Sequence, residues 1–93
     1  LDAILEVENA LLDYQAVSSS ATSAARATRL YREAQSLTRE VFVAGEATLT
    51  DLIAAEQNVA QSEATEAETA RTRALAFVAL NVRIGAGHAV AGN

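Results

Sequence analysis

The chain contains no proline, and Gly45 is the only glycine in its first 84 residues. Proline and glycine are the residues that most reliably interrupt a helix. Nothing in residues 1–43 or 49–84 therefore stops a helix once it has started. Gly45 lies in the segment VFVAGEATLTDLIAAEQ, Val41 to Gln57. Glycine takes positive φ without a steric penalty, which suits the residue just past a helix end. Three residues later comes Thr48-Leu49-Thr50-Asp51. A threonine followed three positions on by an acid is close to a capping box, with the threonine hydroxyl and the carboxylate at a helix N-terminus. A stop signal and a start signal this close join antiparallel neighbours. The sequence predicts an all-α fold, a long antiparallel two-helix coiled-coil hairpin. Its parts are a first helix over 1–43, a tip turn over 44–48 and a second helix over 49–84. A Gly/Ala-rich tail over 85–93 is expected to be poorly ordered, with Gly85 as the stop.

The apolar residues recur at helical spacing. Ile4, Val7, Leu11 and Tyr14 form one stripe, and Leu30, Ala34, Leu37 and Val41 form another. The two do not share one strict heptad phase, so either a broad apolar face or two seams is expected. In the second helix Leu49, Leu52, Ile53, Val59, Leu75, Phe77, Val78 and Val82 continue the pattern. Each helix spans roughly 50–65 Å at 1.5 Å per residue, well beyond the usual dozen residues.

If the chain reverses near residues 45–46, facing residue numbers sum to about 91. Tyr14 then faces Phe77, Leu11 faces Leu80 and Val7 faces Ile84. Leu37 lies beside Ile53 and Ala54, and Tyr31 covers Ala60. The small residues 18–27 face the small residues 64–70, which predicts a close alanine seam including Ala24 and Ala67. Residues such as Leu5, Leu12, Leu52, Val59 and Leu75 cannot all face one partner helix. More helices are expected alongside, from a second copy or a larger parent protein.

Composition excludes several function classes. There is no cysteine, hence no disulfide and no thiolate metal site. The formal net charge is −5, so nucleic acid is not an expected partner. No hydrophobic run is long enough to span a bilayer; Ala74–Leu80 is too short and is bracketed by arginines. The chain starts inside a helical pattern, as a piece of a larger protein would.

Catalytic groups are scarce. His88, the only histidine, lies in GAGHAVAGN and reads as a solvated tail residue. Gly85-Ala86-Gly87 follows a helix instead of a strand and does not form a phosphate cradle. Glu56, Glu63 and Glu66 can share a helix face, but no Glu-x-x-His pair accompanies them, and a solvated acidic face is expected. No enzyme activity, metal or cofactor is expected.

The segments LEVENALLDYQ and VFVAGEATLTDLIAAEQNVAQSEATEAETARTRALAFVALNVRIGAG, at their spacing, resemble the last helical hairpin of the TolC-type outer membrane efflux proteins. In that family the tip reads aromatic-x-x-Gly-x-x-[ST]-x-x-Asp followed by apolar and small residues. Phe42, Gly45, Thr48, Asp51, Leu52, Ile53 and Ala55 fill those places here. The resemblance covers nearly the whole chain, and the Gly-to-Asp stretch is its specific part.

The resemblance implies a fragment of an α-helical barrel, the periplasmic tunnel of a trimeric outer membrane channel of a Gram-negative bacterium. An inner-membrane pump, acting indirectly, and a periplasmic adaptor export small molecules through it. Phe42, Ala44, Gly45, Glu46, Ala47 and Thr48 would form the adaptor-docking tip, and Asp51 would be a helix cap and an acid at the periplasmic mouth. The family's second tip acid is Ala54 here, and Ala47 lacks the arginine some members carry. The alternative is a helical-hairpin interaction module of an adaptor, secretion or signalling protein.

Overall fold

The computed structural model describes the backbone of residues 2–91 and the side chains of residues 2–86. The fold is an all-α hairpin of two long helices, α1 over Asp2–Val43 and α2 over Leu49–Ala91. No strand occurs among the described residues. The chain forms two compact units, a terminal unit of Leu1–Ala21 with Thr69–Asn93 and a tip unit of Thr22–Glu68.

Each helix carries a seam of covered side chains whose main line keeps heptad phase. On α1 the main line of buried and half-buried residues is Ala3, Val7, Ala10, Tyr14, Val17, Ala21, Ala24, Thr28, Gln35, Thr38 and Phe42, with Ser18, Ala25 and Ala27 half-buried beside it. Successive steps alternate between four and three residues, with the more exposed Tyr31 at the one intervening step. On α2 the same alternation runs through Leu52, Ala55, Val59, Ser62, Glu66, Thr69, Ala76 and Leu80, with exposed Arg73 at its intervening step. A repeat of 3.5 residues is the coiled-coil period.

Small and polar residues dominate this seam. The fully covered apolar residues are Ala21, Val59 and Leu80, and Thr28 and Ser62 are buried among them. Tyr14 and Phe77 pack with ring centroids 5.7 Å apart, as the fold-back predicts. The second predicted stripe does not enter the seam: Leu30, Leu37 and Val41 are exposed, and so is Ala34. Leu37 and Ile53, expected side by side, both lie off the seam and are exposed. Ala67 is likewise exposed, whereas Ala24 is half-buried. Tyr31 lines grooves with Asn58 and not with Ala60. Apolar residues outnumber the seam positions, so their spacing alone does not choose which of them face the partner helix.

The second helix continues beyond Ile84 to Ala91, so Gly85 is not its stop. Gly85 lacks the positive φ of a helix-terminating glycine. A glycine inside a helix costs about 1 kcal/mol relative to alanine, too little to end one by itself. The His88 side chain lies outside the described residues, as do residues 92–93.

Candidate functional site

The tip is a helix stop and a helix start fused back to back. Gly45 has φ of 81° and is the only described residue with positive φ. The Glu46 N–H donates to the Val41 carbonyl at 2.9 Å, and the Gly45 N–H to the Phe42 carbonyl at 3.0 Å. This is the Schellman arrangement, in which a left-handed residue lets the chain turn back onto the last carbonyls. Two residues further on, Thr48 opens α2. Its hydroxyl accepts from the Asp51 N–H at 3.1 Å, and the Asp51 carboxylate accepts from the Thr48 N–H at 3.0 Å. The Leu52 N–H then reaches the Thr48 carbonyl at 3.2 Å. The capping box is reciprocal, which satisfies two backbone donors otherwise left open at a helix start.

The six predicted tip residues divide into two groups. Ala44, Gly45, Glu46 and Thr48 are exposed. Phe42 and Ala47 are half-buried, and Phe42 occupies the last seam step of α1. The surface on offer at the tip is therefore small: a methyl group, a bare backbone, one carboxylate and one capped threonine. Asp51 is exposed, and its hydrogen bonds from the Thr48 backbone and then the Thr48 hydroxyl hold its carboxyl below the usual carboxylate range.

Compared with protein-family models, curated proteins and solved structures, the chain matches none.

In the tip unit, Glu63 and Glu56 are not a bare acidic face. Glu63 pairs with Arg32 at 2.7 Å, and Glu56 with Arg39 at 3.6 Å, so both bridge the two helices along one flank. Hydrogen bonding to Glu63 raises the Arg32 pKa. Glu66 is half-buried on the seam. No group of three or more potential metal ligands occurs among the described residues. The other flank is a shallow groove of small and polar residues, Ala24, Ala27, Tyr31, Asn58, Gln61 and Thr65.

Sequence reading did not find two further features. The first is the buried hydroxyl pair of Thr28 and Ser62, 2.8 Å apart. Its only signal was a Thr and a Ser at facing numbers inside a small-residue region. The second is which residues make the exposed apolar flank of the terminal unit, where the sequence predicts an apolar surplus at Leu5 and Leu12 but assigns it no face. Ile4 and Leu11 follow the seam of α1 by one position, and Phe77 and Ile84 do the same on α2. Leu5, Leu12 and Val78 adjoin them. All seven are between 42% and 64% exposed. None of them lines the groove of Glu6, Asn9, Ala10, Asp13, Ala76, Ala79 and Arg83, which marks the opposite flank of that unit. There Arg83 pairs with Glu6 at 3.1 Å. No described helix is long and apolar enough to cross a membrane.

Proposed function

We propose that this hairpin is a wall element of a TolC-type outer membrane efflux channel, part of its periplasmic helical tunnel, with the tip directed toward a periplasmic adaptor protein. The observation that carries the reading is the tip. Each residue of its Phe-x-x-Gly-x-x-Thr-x-x-Asp pattern has a separate mechanical task. Phe42 closes the seam, Gly45 reverses the chain, Thr48 and Asp51 cap the next helix. The result is a short turn on two long helices that exposes only small groups at Ala44 and Gly45. A partner tip can approach such a surface closely. The outward-facing leucines and valines support a wall reading as well, because a wall helix is covered by neighbours on its flanks and not only by its hairpin mate.

In this reading the protein is a passive conduit in a trimer. It does no covalent chemistry and holds no cofactor, and the pump acts on it only through the adaptor. The deciding experiment is Ala44→Arg in the gene product that carries this hairpin. Assembly is expected to be intact and export of toxic compounds lost, because a bulky cation on the tip keeps the adaptor away. Export equal to the unmodified protein would overturn the docking role. A helical interaction module of another system is the second reading. The same small tip favours it, and it predicts loss of a partner complex with no change in export.

A further inference from the structure

We draw no further inference here: the strongest candidate, the exposed apolar stripe of Leu30, Ala34, Leu37 and Val41 on the part of α1 that belongs to the tip unit, is an unpartnered helix face, and nothing in the structure shows what covers it.

Discussion

Thr28 and Ser62 meet hydroxyl to hydroxyl at 2.8 Å in the tip unit, and Thr28 is completely buried. The Thr28 hydroxyl also donates to the Ala24 carbonyl at 3.1 Å. With its proton committed there, Thr28 accepts from Ser62. Between Ala24 and Val59, the seam thus holds one satisfied polar chain, Ser62 to Thr28 to the α1 backbone.

This order of donors predicts unequal mutants. Thr28→Val leaves the Ser62 hydroxyl without its acceptor and should cost about 1–3 kcal/mol. Ser62→Ala removes a donor but leaves Thr28 bonded to Ala24, and should cost less. The Thr28→Val/Ser62→Ala pair should cost less than the sum, because neither partner is then orphaned. Urea denaturation of the four proteins checks this; additive losses would mean that the hydroxyls do not interact.

Gly45 offers a test of backbone strain alone. A Cβ built there meets nothing within 4 Å, so the first side-chain carbon makes no clash. Gly45→Val should still cost about 1–2 kcal/mol, because φ of 81° disfavours a β-branched residue. Gly45→Asn should cost less, since asparagine tolerates that region. Equal melting temperatures for Val and Asn would remove the argument.

The capping box gives a pH signature. Thr48→Ala should cost about 1 kcal/mol through the lost cap. The Asp51 carboxyl titrates lower in the folded chain than in the unfolded one. Its contribution is therefore fully present above the ordinary aspartate value of about 3.9 and is lost as pH falls through the lowered folded value. Asp51→Asn should flatten the part of the stability–pH curve below about pH 4 that Asp51 supplies. An unchanged acid limb would assign that limb to other carboxylates.

Seam and surface alanines should respond oppositely to one substitution. Ala21 is 7% exposed, so Ala21→Arg forces a cation into a covered seam and should prevent stable folding. Ala67 is exposed and Ala67→Arg should change the melting temperature little. Circular dichroism melts of the two proteins decide it, and similar losses would place Ala67 in the seam after all.

The fold and its reversal are legible in the residues because they depend on local chemistry. An unbroken stretch on each side of Gly45, a residue free to take positive φ, and a threonine three places before an acid act within one turn of backbone. The pairing of Tyr14 with Phe77 follows from the position of that turn by counting. The end of α2 is not legible at Gly85, because a glycine is a cheap interruption and only the backbone conformation distinguishes a stop from a passenger.

The sequence by itself determined two long helices and where the chain folds back, since nearest-neighbour sterics and hydrogen bonds settle both. Only the tertiary structure decided which face of each helix is covered. Leu30, Leu37, Leu12 and Val78 are more apolar than Thr28, Ala21 or Ser62, yet the latter three hold the seam. The reason is geometric: one partner helix covers only one narrow stripe in heptad phase, and the seam on α1 ends at Phe42, directly before the turn. Small residues and a satisfied hydroxyl pair share that stripe with a few larger groups such as Val59 and Leu80. Leu12, Leu30, Leu37 and Val78 fall outside its phase, at positions that one partner helix does not cover.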